Sequence, residues 1–283
     1  MRKMIVSAVA ALVACVASPA SAVTVFGIDL SGRLVTFDSS APGTVTSTRT
    51  LTGVSEGGIL GIDFRPATGE LFALGGNAQL YTINTGTGAA SAVGSGGLPI
   101  SGSNFGFDFN PTVDRIRLVS DSGQNLRLNP NTGGVAMTDT GYTYANGATP
   151  TIAAVAYTNS VAGATSTTLY GLDHTLNTLA LIGSPNGGTI STVGALGVDI
   201  GADASFDITP GGEGYFSAGS GFYSVNLSTG ASTLIGTTGG LRSIAVAGAV
   251  PEPVTWAMML VGFGAIGCAM RRGKQVTTRV RFA

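Results

Sequence analysis

An all-β fold is expected for this chain, a β-propeller of five four-stranded blades, on three observations. A short phrase with a central polar position recurs along the body. Clear copies are Gly61-Ile62-Asp63-Phe64-Arg65-Pro66, Gly106-Phe107-Asp108-Phe109-Asn110-Pro111 and Ser205-Phe206-Asp207-Ile208-Thr209-Pro210, with degenerate copies at Val155-Ala156-Tyr157-Thr158-Asn159 and Ser243-Ile244-Ala245-Val246-Ala247. The central positions 63, 108, 156, 207 and 245 are 45, 48, 51 and 38 residues apart, against about 40–45 residues for a propeller blade. Finally, the two ends of the body complement each other, one lacking a first strand and the other supplying it. A six-bladed count, an irregular solenoid and a β-sandwich are the competing architectures.

The elements follow in chain order. Residues 1–22 read as a secretory signal peptide. Arg2 and Lys3 form a basic start, Met4 to Val16 is a short apolar stretch, and Ala20-Ser21-Ala22 is a small-x-small site, so cleavage falls between Ala22 and Val23. The body, 23–250, opens with Val25-Phe26-Gly27-Ile28-Asp29, Gly32-Arg33-Leu34-Val35-Thr36-Phe37-Asp38 and Thr44-Val45-Thr46. These read as strands two to four of a unit whose first strand is missing. The phrase around Asp63 leads into Glu70 to Leu74, Gln79 to Asn84 and the Thr87-Gly88 turn. The phrase around Asp108 leads into Arg115 to Val119, Asn125 to Asn129 and Thr132-Gly133, and the one around Asp207 into Gly214 to Ser217, Gly221 to Asn226 and Thr229-Gly230. The fourth unit keeps Thr168 to Leu172, Asn177 to Ile182 and Gly187-Gly188. Short apolar runs bounded by Asn, Gly, Thr and Pro are strands and turns. Leu241 to Val246 is a first strand without the rest of its unit. Pairing it with the N-terminal strands closes the ring and removes exposed edges.

After the body comes Pro251-Glu252-Pro253, then an uncharged apolar run of 17 residues, 254–270, then Arg271-Arg272. The run meets the lower limit of about 17 residues for a membrane helix. The basic cluster of Arg271, Arg272 and Lys274 places residues 273–283 in the cytoplasm and the body outside the inner membrane. Proline break, apolar span and arginine pair together (251–272) resemble the PEP-CTERM sorting signal of Gram-negative bacteria. The resemblance implies recognition and processing near Pro251 by an exosortase, after delivery by the general secretory machinery. A protein of this kind is held briefly in the inner membrane facing the periplasm and then displayed at the cell surface or released, often alongside exopolysaccharide. The repeated body phrases, with Leu80-Tyr81-Thr82-Ile83-Asn84 and Asp114-Arg115-Ile116-Arg117, resemble a family of uncharacterised bacterial envelope propellers, which implies a fold and a compartment but no activity.

Composition narrows the chemistry. The body holds 14 acidic residues against seven arginines and no lysine, a net charge of about −7 hidden by the basic ends in the whole-chain value of −1. That disfavours nucleic acid. Both cysteines, Cys15 and Cys268, lie outside the body, and His174 is the one histidine. Thiolate catalysis, cysteine-ligated zinc and multi-histidine metal sites are therefore excluded.

Few candidate site residues remain. Asp63, Asp108 and Asp207 occupy equivalent places and would converge near one mouth of the axis. There they could take a divalent cation through oxygen ligands, calcium being the one cofactor they admit, or divide acid and base roles in glycoside cleavage. The competing reading is an aspartate in each blade that bonds to neighbouring backbone, and repetition favours it. Arg115 and Arg117 share a strand face and could grip an anionic sugar, or be spent on Asp114, Asp121 or neighbouring-blade acids. Tyr142 and Tyr144 lie in a Gly/Asn-rich stretch where they could stack on a sugar. No catalytic residue is assigned. The expected function is an exported, non-enzymatic binding or scaffold propeller with exopolysaccharide or surface proteins as partners. The rival is a propeller hydrolase or lyase acting on polysaccharide or a lactone.

Overall fold

A computed structural model describes residues 22–248. The expected sorting tail, membrane helix and most of the leader lie outside the described residues. Among the described residues every regular element longer than a turn is a strand, and no helix is long and apolar enough to cross a membrane.

The first three strands are β1 (Thr24–Asp29), β2 (Arg33–Asp38) and β3 (Val45–Thr50). Blade II is β4 (Ile59–Phe64), β5 (Leu71–Gly75), β6 (Leu80–Ile83) and β7 (Ala90–Val93). Blade III is β8 (Phe105–Asn110), β9 (Arg115–Ser120), β10 (Asn125–Leu128) and β11 (Val135–Thr138). A two-residue strand β12 (Thr143–Tyr144) precedes blade IV, which is β13 (Ile152–Tyr157), β14 (Leu169–Asp173), β15 (Thr178–Ser184) and β16 (Thr189–Ala195). Blade V is β17 (Ser205–Ile208), β18 (Gly214–Ala218), β19 (Gly221–Val225) and β20 (Ser232–Thr237), and β21 (Leu241–Val246) ends the series. Blade I has the order β21-β1-β2-β3. Its closure is antiparallel, with Val25 opposite Val246 and Gly27 opposite Ile244. The five-bladed ring and its end-to-end closure are as the repeats predict.

Burial falls from axis to rim. β13 and β17 are buried along their whole length, whereas β3 and β11 are almost wholly exposed. An innermost strand has a neighbouring blade against each face, so both sets of alternating side chains are covered. That is why Ile152-Ala153-Ala154-Val155-Ala156-Tyr157 shows no polar alternation. Apolar side chains collect in five clusters, one per seam between blades. Phe72 and Leu74 of blade II meet Phe107 and Phe109 of blade III, and Phe37 of blade I meets Phe222 of blade V edge-to-face at 5.2 Å.

The rim is closed by backbone. At the II/III seam Gly94 and Gly133 face each other. A Cβ on Gly133 would lie 2.0 Å from the Val93 carbonyl oxygen, and one on Gly94 2.1 Å from that of Thr132. Both also have positive φ, so any other residue there meets strain as well as a clash.

One element differs from expectation. β12 joins blade IV as a fifth strand, parallel to β16, pairing Thr143 with Thr189 and Tyr144 with Ile190. Tyr142 is consequently 6 % exposed, inside the III/IV cluster, and Tyr144 donates its hydroxyl to Asp173 Oδ2 at 2.9 Å. Two aromatic-centred residues cannot mark their own strand by periodicity, so the stretch reads as a loop in the sequence.

Candidate functional site at the propeller axis

The five innermost strands β21, β4, β8, β13 and β17 run side by side around the axis, in one direction, without a ladder between them. The N–H groups on their axial edges therefore need another acceptor, since a buried donor left unpaired costs free energy. The recurring phrase supplies it. Its central position is Asp63, Asp108, Ala156, Asp207 and Ala245 around the ring, and the position two residues earlier is Gly61, Gly106, Ala154, Ser205 and Ser243.

Each aspartate reaches the next blade. Asp63 Oδ2 accepts the Phe109 N–H at 2.7 Å, Asp108 Oδ1 the Tyr157 N–H at 2.9 Å, and Asp207 Oδ2 the Val246 N–H at 2.5 Å. Asp63 and Asp207 also accept, on Oδ1, the N–H of the residue that follows them. The two serines act in the same direction: Ser243 Oγ accepts the Ile62 N–H at 2.9 Å, and Ser205 Oγ the Ile244 N–H at 2.8 Å. Four of the five seams thus carry a side-chain clasp. The IV/V seam, with alanines at both positions, packs Ala154 and Ala156 against Phe206 instead. The glycines allow close approach, because a Cβ on Gly61 would lie 2.7 Å from Phe107 Cβ and one on Gly106 2.9 Å from the Val155 nitrogen.

The same geometry gathers the three carboxylates. One oxygen from each lies within 4.8 Å of the others, and all three residues are buried. Burial first, and then the charge of Asp207, hold the Asp63 carboxyl well above the usual carboxylate range, against the pull of its two backbone donors. Burial and the charges of Asp63 and Asp207 do the same to Asp108. Burial pushes Asp207 up to about 7. One oxygen from each would give a cation three of the six to eight oxygen ligands that calcium takes, waters included. A cavity of about 280 Å³ opens above Asp63 and Asp207, walled by Phe26, Phe64, Pro66, Pro210 and Val246, with Arg65 and Ser160 at its rim. The described chain ends on its wall, at Gly248.

The arginines part company. Arg117 is 2 % exposed. It donates from Nη1 to Asn125 Oδ1 and Asp139 Oδ2, both at 2.7 Å, from Nη2 to Asn186 Oδ1 at 2.6 Å, and from Nε to the Tyr157 hydroxyl at 3.3 Å. Arg127 holds both oxygens of the same Asp139. Arg117 thereby ties blade III to blade IV, its acid being Asp139 rather than Asp114, Asp121 or an acid of a neighbouring blade. Asp114 is bound by Arg65 of blade II, and Asp121 takes the backbone of Ser103 and Asn104. Arg115 is half-buried and donates to the Asp114 carbonyl at 2.8 Å. His174 sits beside a buried Asp173 whose Oδ1 accepts the N–H groups of Thr175 and Leu176. The sequence reading missed Ser205 and Ser243. Their signal was a column of small residues, two before the aspartate, in which only these two carry a hydroxyl.

A solved structure with a TM-score above 0.5 shares the fold. A symmetrical protein, described as having emerged de novo in evolution under folding constraints, is 12 % identical, with a TM-score of 0.51 over 81 % of this chain and 100 % of its own. A structural genomics protein of unknown function from Bacteroides thetaiotaomicron is 14 % identical, with a TM-score of 0.47 over 82 % of this chain and 68 % of its own. No curated protein matches the chain by sequence. The sequence description of a domain of unknown function, DUF4394, matches residues 33–247, from β2 through the closing strand β21, and the chain belongs to that family.

Proposed function

We propose that this is an exported cell-envelope or extracellular-matrix protein whose propeller binds or scaffolds rather than catalyses. The observation that carries the reading is the order of sorting elements around the body: a basic, apolar, small-x-small leader before it, and Pro251-Glu252-Pro253, an apolar span and Arg271-Arg272 after it. On this reading the secretory machinery exports the chain and the span anchors it in the inner membrane. An exosortase then processes it near Pro251 for display or release, with exopolysaccharide or surface proteins as partners. The clasps support a scaffold. A catalytic set needs different roles at different positions, whereas Asp63, Asp108 and Asp207 share one role at three seams. For an anionic sugar, Arg115 is the arginine to suspect, since four of the five Arg117 donors are engaged.

A second reading, a hydrolase or lyase acting on polysaccharide or a lactone, draws on the grouped carboxylates beneath the 280 Å³ cavity. The two readings separate in a glycan and polysaccharide binding screen of the full chain, with and without calcium, followed by product analysis. Binding without turnover, lost in Arg115→Ala, supports the scaffold. New reducing ends or ring-opened product refutes it. Export has its own test, the termini of the protein recovered from cells. A species starting at Val23 and ending near Pro251 is expected, and an intact cytoplasmic chain would end the proposal.

A further inference from the structure

We propose that the three axial aspartates are a proton-binding site that locks the ring, holding at least one shared proton through the neutral range and loosening the seams as it leaves. The inference stands on the ring itself and not on export. Three carboxylates whose oxygens lie within 4.8 Å of one another in a buried site cannot all be ionised without a counter-charge, because each added charge pays both desolvation and repulsion. No cation supplies that charge by hydrogen bond among the described residues. On the elements packed around the site, Arg65 after β4 is bound to Asp114, and Arg117 on β9 to Asp139. Arg115 on β9 donates to the Asp114 carbonyl. The Tyr157 phenol of β13 meets Arg117, Glu213 before β18 meets Thr209, and Arg242 of β21 lines the opposite mouth. Ala156 and Ala245 complete the ring with methyl groups.

The hydrogen bonds also say where the proton sits. Asp63 and Asp207 each accept a backbone N–H on both oxygens, so a proton on either would face a donor. Asp108 accepts on Oδ1 alone, and its Oδ2 takes no protein hydrogen bond among the described residues. A proton at Asp108 Oδ2 leaves every clasp in place. Asp108 is therefore the carboxyl whose protonation disturbs the clasps least.

The direction with pH follows. In the unfolded chain these side chains ionise near ~3.9, whereas in the ring all three are raised, Asp207 to about 7 and the others well above the ordinary value. Between those limits the folded state binds more protons than the unfolded one, so stability falls as pH rises. The contribution is whole below about pH 4. The Asp207 share is lost as pH passes about 7.

The test uses the full chain in mild detergent. Infrared spectra at pH 7 are expected to show a protonated-carboxyl band that moves on deuteration, fades as pH rises, and is weaker in Asp108→Asn. The melting temperature should fall by roughly 5–10 °C per linked proton over two pH units. In Asp108→Asn that slope should flatten, because one of the three linked carboxyls is gone. Absence of the band in the wild-type protein overturns the proposal, even if the variant does not fold. So does an unchanged slope in Asp108→Asn, or a band that calcium abolishes while raising the melting temperature, which would put a cation in the proton's place.

Discussion

Removing one hydroxyl at the closing seam tests whether the clasps carry stability. In Ser205→Ala the Ile244 N–H, now bonded to Ser205 Oγ at 2.8 Å, keeps its buried position and loses its acceptor. Ser205 is 7 % exposed and Ile244 2 %, so water has little access to replace the hydroxyl. A buried donor left unsatisfied costs about 1–3 kcal/mol. For a domain of this size each kcal/mol moves the melting temperature by roughly 2–4 °C, so a loss of about 2–12 °C is expected. Ser243→Ala, which strands the Ile62 N–H, should behave alike. Ser217 provides the control. It is as deeply buried, at 1 % exposure, but its Oγ has no hydrogen-bond partner among the described residues. Ser217→Ala should therefore be neutral or slightly stabilising. Thermal unfolding followed by near-ultraviolet circular dichroism decides. The reasoning fails if Ser205→Ala melts with the wild type, or if Ser217→Ala loses as much as Ser205→Ala.

Other substitutions probe the rim and the charges. Gly133→Ala should cost well over ~1 kcal/mol in urea unfolding, because left-handed strain adds to the clash with Val93. Gly97→Ala, at φ +73° with nothing within 4 Å of a Cβ, should cost only the strain, about 1–2 kcal/mol. Asp139→Ala leaves Arg117 buried without its carboxylate and is expected to lose about 3–5 kcal/mol. Arg127→Ala, which keeps the Arg117–Asp139 pair, should lose far less. The hydrogen bond from Arg65 holds the Asp114 carboxyl below its ordinary range, so its contribution exists above about pH 4 and disappears as pH falls further. Since the pair is partly exposed, Asp114→Asn should cost about 0.5–1 kcal/mol at pH 7 and less at pH 3, by melts at the two values.

The ring was legible because its period is carried by a phrase that three of the five blades keep intact. Asp63, Asp108 and Asp207 recur with their flanking apolar residues, and the Thr-Gly turns repeat at matching distances. The convergence of those aspartates could also be read, since equivalent places on inner strands must meet at an axis. Bonding to neighbouring backbone was the favoured reading of their role, but which backbone could not be read. The N–H groups whose bonds they accept lie 39 to 49 residues away, and backbone donors leave no mark in a sequence. Arg117 was obscured for a similar reason. Its partners Asn125, Asp139, Tyr157 and Asn186 come from four separate stretches of chain, while the nearer acids Asp114 and Asp121 are occupied elsewhere.

The split blade sets a schedule. Val25 pairs with Val246, so the first strand to be synthesised waits for the last. Until residues 241–246 are available, β1, β2 and β3 form a three-stranded sheet with its most buried edge uncovered, and the clasps from Ser205 and Asp207 have nothing to hold. Contacts between residues so far apart in sequence are slow to form, so the chain should stay pliable through most of its emergence. Any route that passes an unfolded polypeptide from its N-terminus through a narrow pore would gain from that delay. Rigidity arrives only once the far end of the body has come through.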